Sequence, residues 1–426
     1  MMQKLLMLSW WFYPLNITAS HRPAGFAKYL PRFGWKPVVL CGEWTPATCG
    51  YWGPHFHDPN LTSCDPCEVV RVPWELHEYP KPPADSLRSL TRLLRFRISS
   101  PATRPRPIFR RLVEAGTSLM RAEQFDAIWA TSPDFLTLGV AASLSKRFGV
   151  PWIADLADIP DQFCLRADGV VPWLWKSLKR WRWRQAEKGA CKTAQALITA
   201  SDPMVEKLRS RHTQPIFALS NGFDPDLFQN NVAQERRPFT LVYCGVLYLE
   251  HRRADILFDA LDALVTQADP VATDLTVRFF TSKAENLFQM IGGRPCAKMV
   301  EINSWVAHRE SIRVQQEASA LLFLPHTEDK GIITSKLMEY LGTERPILSI
   351  GGDNDVTDAV ISETGTGRIA RSVEDTIIIL REWHREWKQT GTVAFRGDRK
   401  KIEQYSWPSR AGQLAEILDQ VCSQGT

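Results

Sequence analysis

Short apolar, β-rich segments alternate with helical patterns along most of the chain, and this alternation constrains the fold more than any other feature. Strands are predicted at 4–12, 36–42, 68–73, 125–131, 151–156, 196–201, 216–220, 240–246, 275–281, 298–304, 320–325 and 345–350. Several of these segments are continuously apolar, which is typical of parallel strands covered by helices on both faces. Helical patterns lie between them, for example at 137–148, 202–211 and 254–267. The sequence therefore predicts an α/β fold with right-handed crossovers.

The strands fall into two groups, and a chain of 426 residues is longer than one ordinary hydrophobic core supports. The groups are separated by "NGFDPDLFQNNVAQERRP" at 221–238, which is polar and rich in turn-forming residues. We therefore predict an N-terminal domain over 1–222, a linker over 223–238 and a C-terminal domain over 239–407.

Composition limits the class of protein. A hydrophobic content of 44% with 23% charged residues is typical of a globular chain. No segment approaches the ~18 consecutive apolar residues that a membrane-spanning helix needs. The apolar start at 4–12 stops at Tyr13-Pro14 without a clear cleavage site, so we interpret it as a strand and expect a cytoplasmic protein. The odd count of nine cysteines argues against a complete disulfide framework.

Positive charge is concentrated in two segments. Residues 81–113 carry nine Lys and Arg against one acid, and residues 173–192 carry seven against Glu187 alone. Such surfaces attract anions: a phosphorylated ligand, an anionic membrane or nucleic acid. On a helix, Leu174, Leu178 and Trp181 of the second segment share one stripe, which suits either an interfacial membrane helix or a packing helix. No recognised nucleic-acid-binding module accompanies the charge, so nucleic acid is the less favoured partner.

A loop-to-helix segment, "KGIITSKLMEYLGTERPILSIGG" at 330–352, is the strongest candidate for a binding site. Gly331 lets the backbone approach a ligand closely, and a helix N-terminus is a ready site for a diphosphate. The amides that would open this helix belong to Ile332, Ile333 and Thr334. Lys336 would add a positive charge, and Glu339 would accept hydrogen bonds from ribose hydroxyls. The alternative is a surface helix with an exposed Lys/Glu pair.

The same segment resembles the donor-binding segment of GT-B glycosyltransferases of the glycosyltransferase family 4 type. The second glutamate of that family's Glu-x7-Glu pattern matches Glu339, which implies a contact to the nucleotide ribose, and the first falls on Gly331. "LVYCGVLYLEHRRADILFDAL" resembles the first strand and glycine turn of the donor domain. This resemblance implies that Gly245, Arg252 and Arg253 lie near the donor diphosphate.

Segments of the first half resemble the acceptor domain of the same family. "LMLSWWFYPLNITASHRPAGFAKYLPRFGWKPVVLCG" is similar to its first strand, loop and helix, which implies an acceptor-side position for Arg22 and Asn16. "FDAIWATSPDF" and "PWIADLADIPDQF" are similar to later strand ends, where Asp134 and Asp158 would either orient the acceptor or cap a strand. Family members often have an arginine where Ala157 stands, and some have a catalytic histidine in the loop that contains Asp134.

The resemblance extends to "YSWPSRAGQLAEIL", which is similar to a C-terminal helix that crosses back to the first domain. It implies a GT-B fold of two Rossmann-like domains facing each other across a cleft, with a helix at 408–424 packing on the N-terminal domain. It also implies a retaining, metal-independent transferase that uses a UDP- or GDP-sugar and needs no further cofactor. The implied acceptor is a lipid-linked saccharide in surface polysaccharide or glycolipid biosynthesis, reached from the inner face of the plasma membrane.

Two other functions stay open on the sequence. Because Gly331 replaces the first glutamate, the chain could be a non-catalytic GT-B protein that binds a nucleotide or a partner. A sugar-nucleotide epimerase would use a similar donor site without an acceptor.

A group of cysteines and histidines in the first domain is the candidate metal site. It comprises Cys49, His55, His57, Cys64 and Cys67. One Cys-x-x-Cys pair with loosely spaced histidines could bind zinc, but the second pair at defined spacing is absent, so ordinary loop residues are favoured and no metal is predicted.

Overall fold

The computed structural model describes residues 2–50, 53, 56–61, 67–78, 106–131, 135–159, 170–228, 238–247, 252–282, 284–327 and 329–423. The chain divides into two compact units. Unit 1 comprises Met1–Ser220 and Arg410–Thr426, and unit 2 comprises Asn221–Ser409. Residues 229–237 of the predicted linker and residues 81–105 of the basic segment lie outside the described residues.

Each unit contains one parallel β-sheet. The strands of unit 1 are Gln3–Ser9 (β1), Trp35–Gly42 (β2), Glu68–Val72 (β3), Ala127–Thr131 (β4), Trp152–Leu156 (β5), Ala196–Thr199 (β6) and Ile216–Ala218 (β7). Those of unit 2 are Thr240–Cys244 (β8), Thr276–Phe280 (β9), Val300–Asn303 (β10), Ala320–Phe323 (β11), Ile347–Ile350 (β12) and Gly367–Ala370 (β13).

Helices connect the strands in both units. They are Thr18–Tyr29 (α1), Pro46–Cys49 (α2), Arg106–Ala122 (α3), Leu136–Phe148 (α4), Val170–Cys191 (α5), Asp202–Arg209 (α6), Ala254–Thr266 (α7), Pro270–Asp274 (α8), Ala284–Ile291 (α9), His308–Glu317 (α10), Ser335–Gly342 (α11), Val356–Thr364 (α12), Val373–Thr390 (α13), Arg399–Glu403 (α14) and Trp407–Ser423 (α15). Short 3-10 turns lie at Leu30–Phe33, Pro59–Leu61, Leu76–Glu78, Pro225–Phe228 and Pro295–Met299.

The strand order reverses once in each sheet. The order is β3-β2-β1-β4-β5-β6-β7 in unit 1 and β10-β9-β8-β11-β12-β13 in unit 2. The chain therefore leaves β1 towards one edge and returns to β4 on the other side, and it does the same at β8 and β11. Two doubly wound, Rossmann-like units with parallel sheets are what the sequence predicts, and this prediction is confirmed.

The sheets are covered on both faces, which explains the continuous apolar runs. All residues of β5, β11 and β12 are buried. Each predicted strand segment coincides with a strand of the structure. The sequence analysis did not predict β13, in which only Ala370 is buried, so its apolar pattern is weak.

The helix α15 returns the chain to unit 1, since residues from Arg410 onward belong to that unit. The indole Nε1 of Trp35 donates to Oδ1 of Asp419 at 3.0 Å. The thiol of Cys422 donates to the carbonyl of Asp126 at 3.5 Å. The helix is thus fixed to the part of the sheet edge where β2 and β4 begin.

Candidate functional site

The topology itself indicates where each unit would bind a ligand. In open parallel sheets, ligands bind beyond the carboxyl ends of the strands at the point where the strand order reverses. In unit 2 that point lies between β8 and β11. Gly245 directly follows β8, and the loop that leads to α11 follows β11. Gly245, Gly331, Ile332 and Ile333 therefore lie in the loops that flank the expected crevice of unit 2, and Lys336 and Glu339 lie in the helix that follows one of these loops.

Gly245 is brought against Lys336 at this edge of the sheet. Its φ of 123° belongs to a region that residues with a side chain rarely adopt, and its N–H donates to the carbonyl of Phe280 at 2.9 Å. A Cβ atom on Gly245 would lie 3.0 Å from both Cε and Nζ of Lys336. The glycine is required here both by its backbone conformation and by the close approach of the lysine.

Lys336 extends its ammonium group into a buried position. Its Nζ lies 3.5 Å from the centroid of the Tyr243 ring, and it has no hydrogen-bond partner among the residues that the structure describes. Burial, and next the positive charge of Arg252, hold the pKa of Lys336 well below its usual value, although Cys244 and Glu339 act in the opposite direction. A buried cation without acceptors is costly, so an anion at this position would stabilise it.

Two further residues near Lys336 have a buried polar atom without a partner. Arg252 is close enough for its charge to act on Lys336, and Thr334 precedes Lys336 by two residues. The Nη1 of Arg252 donates to the carbonyl of Leu324, but its Nε is buried and without a partner in the described part of the chain. Thr334 is the N-cap of α11, and its buried Oγ1 likewise has no partner there and does not cap the helix. Nearly all buried polar groups of native proteins are paired, so these donors mark a position for a polar ligand.

The loop that leads into α11 is held by the loop that follows β12. Gly331 has a φ of 87°, and its N–H donates to Oδ2 of Asp355. The Nζ of Lys330 donates to the carbonyl of Asp353 at 2.7 Å. Between these contacts and α11 lie Ile332 and Ile333, both half-buried. The two loops therefore form one connected surface at the carboxyl end of the sheet.

Glu339 lies one turn into α11 and is paired with a residue that the sequence analysis did not select. Its Oε1 lies 2.7 Å from Nε2 of His308, the first residue of α10. The side chains of Glu339 and His308 are 20% and 17% exposed. Together with the buried Nζ of Lys336, this pairing rules out the alternative of a surface helix with an exposed Lys/Glu pair.

Arg253 makes contacts that differ from those of Arg252. Its Nε and Nη2 donate to the carboxylate of Asp255 at 3.0 and 2.9 Å, and both side chains are about half exposed. A Cβ atom on Gly351 would lie 2.9 Å from Cβ of Arg253, so the loop after β12 also packs on this residue. The donor-binding role of Arg253 stays a prediction.

In unit 1, Arg22 is a buried structural residue. Its side chain is 3% exposed, its Nε donates to Oδ2 of Asp155 at 2.8 Å, and its Nη2 donates to the carbonyl of Leu219 at 2.9 Å. Burial raises the pKa of the Asp155 carboxyl, and the charge of Arg22 opposes this shift. These contacts hold α1 against β5, and the acceptor contact of Arg22 stays a prediction.

The other predicted residues of unit 1 are less closely connected. Asn16 is 7% exposed, and its Oδ1 lies 2.8 Å from Nε2 of His21. Asp158 lies exposed two residues after β5, and Asp134 is outside the described residues. Their roles towards an acceptor stay predictions.

The cysteine and histidine group does not come together in the structure as far as it is described. Cys64 and His55 lie outside the described residues, and Cys49, His57 and Cys67 do not form a set of three close metal-ligand atoms. Burial raises the pKa of the Cys49 thiol to about 11, which disfavours the thiolate that binds metals.

The basic, tryptophan-rich segment lies in α5, and its one acidic residue, Glu187, is buried within unit 1. Glu187 is fully buried and accepts from Nε of Arg211 at 3.0 Å, with Nε2 of His212 also at 3.0 Å. On the outward side Leu178 is 45% and Trp181 is 58% exposed. The solvent face of this helix therefore combines apolar side chains with basic ones and has no described carboxylate. No helix among the described residues is both long and apolar enough to cross a membrane.

Comparison with known proteins identifies relatives of this architecture. Residues 19–222 match the model of the glycosyl transferase 4-like domain. None of the curated protein sequences is similar enough to match the chain.

Solved structures of the same fold cover the whole chain. Sucrose-phosphate synthase from Thermosynechococcus elongatus superimposes with a TM-score of 0.65 at 12% identity, over 99% of this chain and 100% of that one. HepE from Anabaena in complex with UDP and glucose has a TM-score of 0.60 at 16% identity, over 98% and 100%. The lipopolysaccharide outer core galactosyltransferase WaaB has a TM-score of 0.57 at 12% identity, over 98% and 99%. The predicted GT-B fold is confirmed by these similarities.

Proposed function

We propose that this chain is a glycosyltransferase of the GT-B type, in which unit 2 binds a nucleotide-sugar donor and unit 1 the acceptor. The match of residues 19–222 to the glycosyl transferase 4-like domain supports this proposal. The donor is a UDP- or GDP-sugar, and no further cofactor takes part. The transferred sugar keeps its anomeric configuration, and the reaction does not depend on a metal ion.

The observation that carries this proposal is a set of unpaired, buried polar atoms, of which Nζ of Lys336 lies against Gly245. Nζ of Lys336, Nε of Arg252 and Oγ1 of Thr334 all lack partners among the described residues. Two of these groups belong to basic side chains, and the third belongs to the N-cap residue of a helix, where the helix dipole favours an anion. A diphosphate supplies negative charge and several acceptor oxygens, so it matches this set better than a neutral ligand does.

The same residues would perform the chemistry of the proposed reaction. Negative charge develops on the diphosphate as the bond to the sugar breaks, and fixed cations and amides stabilise that charge without reorganisation. Lys336 and Arg252 supply the positive charge that a metal ion supplies in other transferases. Gly331 lets the backbone approach the ligand closely, Ile332 and Ile333 contribute backbone amides, and Glu339 accepts hydrogen bonds from the ribose. Asp134 and Asp158 orient the acceptor.

UDP as the nucleotide is supported by analogy, because the structurally similar HepE is described in complex with UDP and glucose. The role in surface polysaccharide or glycolipid assembly is supported in the same way by WaaB, a lipopolysaccharide outer core galactosyltransferase.

We further propose that the acceptor is lipid-linked and that the protein works at the inner face of the plasma membrane. The support is the solvent face of α5, where Trp181 and Leu178 are exposed beside basic residues while Glu187 is buried. Exposed Trp with Lys and Arg on one helix face is typical of interfacial membrane binding. The basic segment at 81–113 would add further attraction to anionic lipids.

The experiment that tests the donor proposal is mass spectrometry of the purified protein with a panel of UDP-, GDP- and ADP-sugars, scored for binding and for slow hydrolysis. A single preferred donor that is bound and slowly hydrolysed supports a transferase. Lys336→Met should weaken that binding about 10- to 100-fold, because charged hydrogen bonds are lost, while the exposed Lys298→Met should not. Absence of binding by the whole panel would overturn the proposal, and a new sugar nucleotide among the products would identify an epimerase instead.

A further inference from the structure

A carboxylate at the carboxyl end of the unit 2 sheet stands at the N-cap position of a helix but does not cap that helix. Asp355 is the N-cap residue of α12, where an aspartate ordinarily accepts hydrogen bonds from the first amides of the helix. Its side chain makes no such bond. Contacts of the neighbouring Asp353 explain why α12 does not need a cap from the side chain of Asp355.

Asp353 performs the capping in its place. The Oδ1 of Asp353 accepts from the amides of Asp355 at 2.9 Å and Asp358 at 3.0 Å, and its Oδ2 accepts from the amide of Thr357 at 3.0 Å. Asp353 is buried, as a capping group of this kind should be. The carboxylate of Asp355 is therefore available for a different role.

That carboxylate contacts the loop that leads into the predicted donor-binding helix α11. Its Oδ2 accepts the N–H of Gly331, and its Oδ1 accepts no hydrogen bond from any described residue. The loop that carries it is fixed by Lys330, whose Nζ donates to the carbonyls of Asp353 at 2.7 Å and Asn354 at 3.1 Å. One oxygen is thus anchored, and the residue as a whole is half-exposed, so the group is oriented before any ligand arrives.

We propose that Asp355 is a specificity-determining residue that accepts hydrogen bonds from hydroxyl groups of the donor sugar. The inference rests on the proposed function, which puts the diphosphate beside Lys336 and Arg252. A carboxylate next to a diphosphate is repulsive, and a neutral group rich in hydroxyl donors resolves that conflict. The sugar is the part of the donor that has those hydroxyls and must adjoin the diphosphate.

The test compares each nucleoside diphosphate with its sugar derivative, by calorimetry on the full chain. The probes are UDP, UDP-glucose, UDP-galactose, UDP-N-acetylglucosamine, GDP, GDP-mannose, ADP and ADP-glucose. For the base that the protein prefers, at least one sugar derivative should bind more tightly than the diphosphate. Asp355→Asn should lower the affinity for the sugar derivative about tenfold, because a charged hydrogen-bond acceptor is lost. The affinity for the bare diphosphate should stay within about twofold of the wild-type value.

Asparagine retains an oxygen that accepts the Gly331 amide, so this variant keeps the contact between the loops. Asn354→Gly is the matched control, because Asn354 is exposed in the same loop and its φ of 50° suits glycine. It should leave both affinities unchanged. Circular dichroism and the binding of the bare diphosphate report whether Asp355→Asn is folded.

The outcomes distinguish a failure of this inference from a failure of the proposed function on which it rests. If no nucleotide of the panel binds to the wild-type chain, the proposed function is wrong. If nucleotides bind and the sugar adds no affinity, or if Asp355→Asn weakens the diphosphate and its sugar derivative equally, then Asp355 only joins two loops and the inference is overturned.

Discussion

The carboxylate of Glu339 and the imidazole of His308 lie 2.7 Å apart and connect the middle of α11 to the start of α10. The bond fixes the direction in which this carboxylate points. Glu339→Ala should therefore weaken nucleotide-sugar affinity about tenfold, because the acceptor for the ribose hydroxyls is removed. His308→Ala should have a smaller effect in the same direction, since it removes only the group that orients Glu339. Calorimetric titration with the preferred donor measures both changes.

Glu382→Ala is the control for this prediction. Glu382 is an exposed glutamate of the same unit, paired with Arg368 at 2.8 Å. An unchanged affinity in Glu339→Ala would remove the ribose assignment, and an equal loss in Glu382→Ala would indicate a general effect on unit 2.

Donor binding should be coupled to proton uptake at Lys336. Burial and then the charge of Arg252 lower the pKa of this lysine in the ligand-free protein, against the smaller opposite effects of Cys244 and Glu339. The Tyr243 ring also attracts the ammonium form. A bound diphosphate favours that form further, so the pKa of Lys336 rises on binding. Affinity is then greatest below the lowered pKa and falls as the pH rises from it towards the pKa in the complex.

Calorimetry with UDP in two buffers of different ionisation enthalpy measures this uptake directly. At about pH 8, above the phosphate pKa of about 6, UDP itself takes up no proton. In a pH series upward from there, the wild type should take up protons wherever the pH lies between the lowered pKa of free Lys336 and its higher pKa in the complex. Lys336→Met should abolish this uptake. UDP binding with no dependence on the buffer would contradict the prediction.

Trp181→Ser should reduce association with anionic vesicles about tenfold, because an exposed Trp at an interface loses its apolar contact with lipid. Trp181 is mutated rather than Trp183, because the ring of Trp183 lies 6.2 Å from that of Phe135 and contributes to packing within unit 1. Sedimentation with phosphatidylglycerol vesicles measures the change. Phe288→Ser is a matched control, since Phe288 and Trp181 are both 58% exposed and Phe288 lies in unit 2. Equal losses in the two variants, or none in Trp181→Ser, would remove the membrane role of α5.

Arg22→Ala should destabilise unit 1 by about 3–5 kcal/mol, because it leaves the fully buried Asp155 without its cation. Chemical denaturation followed by tryptophan fluorescence measures the loss. Arg209→Ala, which removes an exposed partner of Glu206, is the control and should change stability little. A stable Arg22→Ala that loses only transfer to the acceptor would support the predicted acceptor contact of Arg22.

The sheets were predictable because their signal is local. A continuous apolar run such as β11 is visible in the sequence, and the alternation with helices fixes the class of fold. The segment around Lys336 could also be predicted from the sequence, since a glycine before an amphipathic helix is a local pattern. β13 was missed because its sequence Gly-Arg-Ile-Ala contains too few buried residues to stand out.

The parts of the site that were missed depend on contacts between distant residues. Arg22 and Asp155 are 133 positions apart, and no local pattern indicates that they pair. The same holds for His308 and Glu339, which are 31 positions apart. Asp355 lies in "GGDND", a sequence that indicates only a turn. Only the structure shows that Asp353 caps α12, so that the carboxylate of Asp355 does not cap it.

The return of α15 to unit 1 has a consequence for biosynthesis. Trp35 and Asp126 acquire their partners Asp419 and Cys422 only after the ribosome has translated the whole of unit 2. A nascent unit 1 therefore emerges with the surface for α15 uncovered, and its maturation must wait for that of the unit inserted within it. Chaperone dependence during synthesis should accordingly be greater for the first unit than for the second, whose residues are contiguous in the chain.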